Sequence, residues 1–335
     1  MYKMSVPIIQ GGMGVGISMG NLAGAVAAEG GMGVISTANI GFREKDFWTN
    51  THEANCRALE KEISKAREIA EGKGMIAINA MVATKNFAEM VRLAVKSGID
   101  AVVSGAGLPL NLPDLVGEKT LIAPIVSSKR AASLLIKTWK NKHGRIPSFI
   151  VVEGSKAGGH LGFKKEELLE GKEEELEDII SRVVSVSEGI PVFGAGGVFN
   201  SEDIGGIKDR GAVGAQIATR FIATKECDAT QGYKDRILSA KEEDVKIIAS
   251  PVGMPGRALN SPLIQKMERT SQIPPKRCID CIVTCNPGTT PYCINAALIS
   301  GFYGDWEKGL FFAGSNVGRI NEMTTVKDLI KELDR

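Results

Sequence analysis

The chain has 335 residues, which is enough for one large α/β barrel with an extension or for two ordinary domains. Its 41 basic and 39 acidic residues leave a net charge of +2, so charge gives no case for a nucleic-acid partner or an anionic membrane. Aromatic residues make up only 5%, which argues against a base-stacking surface, and no apolar run approaches the roughly 20 residues that cross a bilayer.

The N-terminal stretch, MYKMSVPIIQGG, enters a strand almost at once and lacks the apolar core of a signal peptide. We therefore expect a cytoplasmic protein. From there, short apolar segments typical of buried strands are predicted at 6–10, 33–38, 75–81, 101–104, 121–126, 149–152, 191–195 and 212–217. Helical patterns are predicted between them at 21–29, 43–71, 87–97, 129–141, 176–187 and 201–210.

Eight strands alternating with helices predict a (β/α)8 TIM barrel. An open doubly wound sheet fits less well, because the glycine-rich segment after the first strand is only superficially like a dinucleotide-binding motif. The alternation stops after Phe221. We therefore predict a barrel over residues 1–222 and a smaller appended lobe of helices and loops over residues 223–335.

Glycine and polar residues cluster where the predicted strands end. Glycine is about 12% of the chain, with 39 residues, against an average near 7%. The carboxyl ends of TIM-barrel strands line the active site. In this chain the predicted ends carry Gly11, Gly12, Asn79, Gly105, Gly158, Gly159, His160, Gly196, Gly197 and Thr219.

The stretch EGSKAGGHLG, residues 153–162, is the centre of this pattern. Paired glycines permit a sharp turn and a close approach to a ligand, and a histidine straight after them can exchange a proton near neutral pH. The alternative is a surface turn with an incidental, solvated histidine.

Two other strand ends suit a phosphate group. Gly196-Gly197 and the Ala218-Thr219 turn offer backbone N–H groups and a hydroxyl at strands seven and eight, where such barrels frequently bind phosphate. The alternative is that the glycines merely end a strand. Asn79 lies in an apolar strand and pairs either with the polar edge of a cofactor or with a neighbouring strand.

Five segments in order, IIQGGMG, AINAM, KAGGHLG, FGAGGV and AQIATRF, resemble the nitronate monooxygenase family of FMN-dependent barrels. The same superfamily contains the flavin-dependent enoyl-ACP reductases. The resemblance covers about residues 6–260, including SPVGMPGRAL at 250–259. It is specific for fold and cofactor and much less so for substrate.

The resemblance implies roles for individual residues. Gly11, Gly12 and Met13 would contact the isoalloxazine ring, and Asn79 its polar edge. Glu153 stands where many members carry a glutamine near the ring, and Gly158 and Gly159 lie beside it. The phosphate would be held by Gly196, Gly197, Gln216, Ile217, Ala218 and Thr219.

His160 would transfer the proton. Lys156 departs from the family pattern, which has glutamate there, and adds a positive charge near the pocket mouth. The implied function is an FMN-dependent oxidoreductase that oxidises alkyl nitronates.

Other functions stay open at this point. One is an NAD(P)H-dependent reductase of enoyl thioesters, so the substrate is a small molecule or an acyl thioester. Another is a flavin-binding sensor without turnover, and a third is a barrel enzyme that takes a phosphorylated substrate in place of FMN. The oligomeric state is also open, with a homodimer among the options.

Four of the six cysteines, Cys278, Cys281, Cys285 and Cys293, fall within 16 residues in the pattern C-x2-C-x3-C-x7-C. In a cytoplasmic protein such clustering indicates a metal or redox site more readily than disulfides. The first three resemble part of the iron–sulfur site of the dienoyl-CoA reductases, so we expect an iron–sulfur cluster rather than zinc. The alternative is a set of packing thiols.

Overall fold

A computed structural model describes residues 4–335 of the protein. Within this range the strands are β1 (Ile8–Gln10), β2 (Met32–Ser36), β3 (Met75–Met81), β4 (Ala101–Gly105), β5 (Leu121–Val126), β6 (Ile150–Glu153), β7 (Gly159–His160), β8 (Val192–Ala195), β9 (Gly214–Ile217), β10 (Val245–Ala249) and β11 (Pro255–Leu259). Strands β1 to β6, β8 and β9 form a closed parallel barrel in which β1 pairs with both β2 and β9. The predicted (β/α)8 barrel is confirmed.

The barrel strands are apolar on both faces because helices cover the outside while side chains fill the inside. The interior is filled by bulky residues such as Met32, Met75, Phe149 and Phe193, all 3% exposed or less. The rings of Phe149 and Phe193 meet edge to face at 5.5 Å. The barrel is therefore a packed core, and space for a ligand remains only at its ends.

The helices of the described chain are α1 (Gly20–Ala28), α2 (Thr51–Ala70), α3 (Phe87–Lys96), α4 (Lys129–His143), α5 (Lys165–Glu170), α6 (Leu176–Val184), α7 (Ser201–Asp209), α8 (Thr219–Ile222), α9 (Gln231–Ser239), α10 (Pro262–Arg269), α11 (Ile294–Phe302) and α12 (Val326–Leu333). Short 3₁₀ turns lie at Leu112–Leu115, Glu242–Asp244 and Ser315–Arg319. No helix within residues 4–335 combines the length and apolar character needed to cross a membrane.

Helix boundaries follow local capping chemistry. Helix α4 begins after Ser128, whose Oγ accepts a hydrogen bond from the Ala131 N–H at 3.2 Å, and it ends at Gly144 with φ of 62°. Helix α7 begins with a capping box between Asn200 and Asp203. The prediction of a helix from residue 43 was wrong over its first turns, because residues 43–50 form turns and α2 begins at Thr51.

The lobe after the barrel contains strands that the sequence did not indicate. Strands β10 and β11 form an antiparallel hairpin, and β11 also pairs with β7, joining Gly256 to His160. The description of this lobe as helices and loops was therefore incomplete. The loop after β6 is not a free surface turn either, because Gly159 and His160 form the short strand β7, which pairs with β11 of the hairpin.

The lobe has its own apolar cluster, formed by residues such as Ile248, Leu263, Tyr292 and Leu310. The chain then returns to the barrel, where Leu329 of α12 joins the main core. The boundary at residue 222 stays a prediction.

Candidate active site

Two adjoining cavities lie at the carboxyl ends of the barrel strands. Their volumes are about 190 Å³ and about 70 Å³. Five residues line both of them: Glu153, Gly158, Gln216, Ala218 and Thr219. The arrangement suits an elongated ligand with a larger body and a smaller end group.

The larger cavity collects the residues that the sequence predicted around a flavin ring. Its walls include Gly11, Gly12, Met13, Asn79, Gly159 and His160. The carboxamide of Asn79 borders this space, and the structure gives it no hydrogen bond to another of the described residues. This favours pairing with a ligand over the alternative of an internal bond to a neighbouring strand.

Gly12 lies against Asn79 so closely that only glycine fits. A Cβ atom at position 12 would come within 2.3 Å of the Asn79 Cβ atom. The segment after β1 thus lies close to β3 at this end of the barrel, and the Gly12 backbone and the Asn79 carboxamide share one wall of the cavity.

The smaller cavity collects the predicted phosphate residues. It is lined by Gly196 and Gly197 after β8, and by Ile217, Ala218 and Thr219 at the junction of β9 and α8. Neither Gly196 nor Gly197 donates its N–H to another of the described residues, so both donors are free for an anion. The turn at Gly197 has φ of 108°, which side chains other than glycine rarely adopt.

Two contacts from the C-terminal segment complete this end. The Asn316 Nδ2 atom donates to the Gly197 carbonyl at 2.6 Å, and the Gly314 N–H donates to Thr219 Oγ1 at 3.0 Å. Asn316 and Gly314 were missed by the sequence analysis, because they lie almost 100 residues or more from their partners along the chain and follow no motif.

His160 lies on the edge strand β7, between the barrel and the hairpin. Its Nε2 atom lies 2.8 Å from Ser250 Oγ, and its ring meets Phe312 edge to face at 5.2 Å. Burial lowers the pKa of His160 to about 4, since the charged imidazolium loses its hydration there. The imidazole is therefore neutral at pH 7.

Glu153 ends β6 and borders both cavities. Burial raises the pKa of its carboxyl group from 4.5 to about 8, because the ionised form loses its hydration there. A carboxylic acid that keeps its proton at pH 7 can donate a hydrogen bond to a ligand. The site thus presents a neutral imidazole and a neutral carboxylic acid.

A profile of the nitronate monooxygenase family matches residues 1–335. The chain belongs to the nitronate monooxygenase family. Its members are FMN-dependent oxidoreductases, and this protein is one of them.

The individual proteins that this chain resembles are distant from it in sequence. The chain is 26% identical to a probable nitronate monooxygenase of Staphylococcus haemolyticus, over 82% of this chain and 80% of that protein. It is 25% identical to the (3aS,4S,5R,7aS)-5-hydroxy-7a-methyl-1-oxo-octahydro-1H-indene-4-carboxyl-CoA dehydrogenase of Mycobacterium tuberculosis, over 98% and 91% of the two chains. The fold is that of FabK from Thermotoga maritima, with a TM-score of 0.78 at 24% identity over 99% of this chain and 92% of that one.

Lys156, the residue that departs from the nitronate monooxygenase pattern, points away from the larger cavity. Its Nζ atom forms an ion pair with Glu175 at 2.9 Å, and its side chain is 52% exposed. The aliphatic part covers Gly197, where an added Cβ would lie 3.1 Å from the Lys156 Cβ. Lys156 therefore borders the smaller cavity and not the larger one.

Arg257 and Ser250 are the other residues that sequence reasoning missed. The Arg257 Nη2 atom donates to the Ser155 carbonyl at 2.9 Å and its Nε atom donates to the Ala157 carbonyl at 3.2 Å, which holds the loop between β6 and β7. Both residues belong to the SPVGMPGRAL segment, whose resemblance was noted without assigning roles within it. The signal was present, but only the hairpin shows what these side chains contact.

The four clustered cysteines lie beside the larger cavity. Cys281 lines it, and all four line a third, small cavity in the lobe. Among residues 4–335, however, no three His, Cys, Asp or Glu side chains are arranged to hold a single metal ion.

Proposed function

We propose that this protein oxidises alkyl nitronates, using FMN bound across the two adjoining cavities and dioxygen as the oxidant. The observation that carries the proposal is the neutral His160, buried in the wall of the ring-sized cavity and hydrogen-bonded to Ser250. Family membership supports the same reaction class.

The residues present fit FMN. The free N–H groups of Gly196 and Gly197 suit a terminal phosphate, and the glycine wall at Gly11 and Gly12 suits a flat ring. The small cavity has room for one phosphate and none for a second nucleotide, which favours FMN over FAD. FMN, when bound, supplies the redox chemistry of the reaction.

His160 suits an anionic nitronate substrate better than a neutral nitroalkane. With a pKa of about 4 it is a weak base at pH 7, so it is poorly suited to remove a proton from a neutral nitroalkane. A nitronate that enters already deprotonated needs no such step. Its negative charge would raise the pKa of His160, so that the Nε2 atom takes up a proton and holds the anion.

Glu153 makes the site compatible with an anionic substrate. Because its carboxyl group keeps its proton up to about pH 8, it adds no negative charge to the cavity at neutral pH. The hairpin of β10 and β11 covers His160 from the other side and reduces the access of water.

The test is anaerobic mixing of the flavin-loaded protein with propyl nitronate, with the neutral nitropropane, and with NADH or NADPH, while the flavin absorbance is followed. Bleaching by the nitronate, much faster than by nitropropane, is the expected result. Bleaching by a nicotinamide and none by the nitronate would contradict the proposal.

The second candidate is an NAD(P)H-dependent oxidoreductase of acyl thioesters. One observation favours it: among the described residues that line the larger cavity there is no Lys or Arg, and its wall towards the lobe is apolar, with Met81, Val252, Ile282 and Leu298. Such a wall suits a neutral acyl chain. The experiment above separates the two candidates.

We also propose a cytoplasmic location. All six cysteines are free thiols, which suits a reducing compartment.

A further inference from the structure

Asn295 is a buried amide on the lobe side of the larger cavity. It is the second residue of α11, is 1% exposed, and lines this cavity together with Asn39. Its Oδ1 atom accepts a hydrogen bond from Asn39 Nδ2 at 2.7 Å. Its Nδ2 atom, in contrast, is buried and has no hydrogen-bond partner among residues 4–335. Because a buried donor without a partner is unfavourable, this atom is available to a ligand of the cavity.

Asn39 fixes the orientation of the Asn295 amide. It follows β2 and has φ of 45°, a left-handed conformation that asparagine adopts more readily than most residues. Its carbonyl accepts a hydrogen bond from the Phe42 N–H at 3.0 Å, which closes the turn that carries it. Since Asn39 occupies the Oδ1 atom of Asn295, the free edge of the amide is Nδ2.

The N-terminus of α11 adds further donors to the same wall. Ile294, Asn295 and Leu298 of this helix all line the larger cavity. The N–H groups of Ile294 and Asn295 donate to no other described residue, and no side chain caps the helix at Cys293. The N-terminus of a helix carries partial positive charge and attracts anions. This uncapped end of a nine-residue helix therefore suits a negatively charged group.

The larger cavity otherwise lacks a positive group for an anionic substrate. None of the described residues that line it is Lys or Arg. His160 is neutral at pH 7, and Glu153 keeps its proton. Tyr233, another polar residue of the lobe wall, already donates its hydroxyl proton to the Phe312 carbonyl at 3.3 Å. The Asn295 amide and the end of α11 therefore provide the attraction for an anion that a cation would provide elsewhere.

We propose that Asn295 is a substrate-binding residue, whose Nδ2 atom and helix N-terminus together bind an oxygen atom of the anionic group of the substrate. Asn39 is the positioning residue of this amide. The inference rests on the proposed function, in which the anionic group is the planar O–N–O group of a nitronate. The lobe then selects the anion, whereas the proposed contacts to FMN come from the ends of the barrel strands.

The test compares the full-length, flavin-loaded wild type with Asn295→Leu, which keeps the approximate size of the side chain and removes its donors. Anaerobic bleaching by propyl nitronate gives a second-order rate constant. Sodium nitrite shares the O–N–O group, and its perturbation of the flavin absorbance gives a Kd without turnover. In Asn295→Leu the rate constant should fall and the nitrite Kd should rise by roughly 10- to 100-fold each, the range for one hydrogen bond to a charged group. Flavin content should not change.

Asn39→Gly tests the positioning role and serves as a second variant should Asn295→Leu not fold. Glycine accepts φ of 45°, and the substitution removes the hydrogen bond to Asn295. It should raise the nitrite Kd by about 3- to 10-fold in the wild type. In the Asn295→Leu background it should have no further effect, because the amide that it positions is gone. Asn141→Leu, at an exposed asparagine of α4, is the matched control and should change neither measurement.

The outcomes separate this inference from the proposed function. Equal rate constants and equal nitrite Kd values in the wild type and Asn295→Leu would overturn the inference. Loss of flavin from the variant would also overturn it, because the donor would then serve FMN. If propyl nitronate does not bleach the wild type but nitrite binding weakens in the variant, the proposed function fails and the anion-binding role of Asn295 is supported. A wild type that responds to neither compound would overturn both.

Discussion

Glu153→Gln tests whether the carboxyl group at the end of β6 is held neutral by its surroundings. The substitution keeps the shape and the hydrogen-bonding capacity of the side chain but removes its titration. Burial raises the pKa of Glu153 from 4.5 to about 8. Each pKa unit corresponds to about 1.4 kcal/mol, so the ionised form costs at most about 5 kcal/mol of folding stability.

The sign of the pH dependence follows from the raised pKa. Below pH 4.5 Glu153 is protonated in both the folded and the unfolded chain, and no penalty arises. Between pH 4.5 and about 8 the unfolded chain releases the proton and the folded chain retains it, so stability falls as the pH rises. The Glu153→Gln variant does not lose stability in this way, because glutamine does not titrate. Because the side chain borders a cavity that admits water, we expect a gain of about 2–4 kcal/mol above pH 8.

The measurement is urea unfolding of the flavin-free wild type and variant, at about pH 5 and about pH 8.5, with the free energy of unfolding extrapolated to water. The variant should exceed the wild type by less than about 1 kcal/mol at the lower pH and by about 2–4 kcal/mol at the higher one. Glu60→Gln, on the exposed face of α2, is the control and should show no such difference. An equal stability difference at both pH values for Glu153→Gln would refute the reasoning.

Three further substitutions test the site. His160→Ala removes the group that holds the nitronate and should lower kcat/KM by roughly 10- to 100-fold while flavin content is kept, since a hydrogen bond to a charged group is worth about 1.5–3 kcal/mol. Steady-state kinetics that stay at the wild-type level would remove His160 from the mechanism. Ser250→Ala removes the 2.8 Å contact with His160 Nε2 and should lower kcat/KM by about 5- to 10-fold, which corresponds to one hydrogen bond. The pH profile of kcat/KM should also shift, because the surroundings of the imidazole change. Gly197 has φ of 108°, so Gly197→Ala should weaken FMN binding by roughly 10-fold, since the strain is of the order of 1–2 kcal/mol. Fluorescence titration would measure the FMN affinity. An equal loss of affinity in Gly205→Ala, where an added Cβ meets open space, would contradict a local cause.

Much of the barrel and its ligand-binding end was predictable from the chain alone. The strands at 75–81 and 121–126 were predicted with their observed bounds, because a buried parallel strand is a continuous apolar run between glycines or charges. Placing the glycines and His160 at one end needs only the rule that parallel strands present their carboxyl ends together. Those residues do line the two adjoining cavities.

Tertiary structure alone decided how the site is closed and charged. Ser250, Arg257 and Asn316 act through partners 90 or more residues away, and local pattern carries no information on such contacts. The hairpin that covers His160 has weak strand signals, because β11 begins with Pro255 and Gly256 and becomes a strand only by pairing. The protonation states depend on the same packing: His160 is neutral and Glu153 protonated because the folded chain removes water from both side chains.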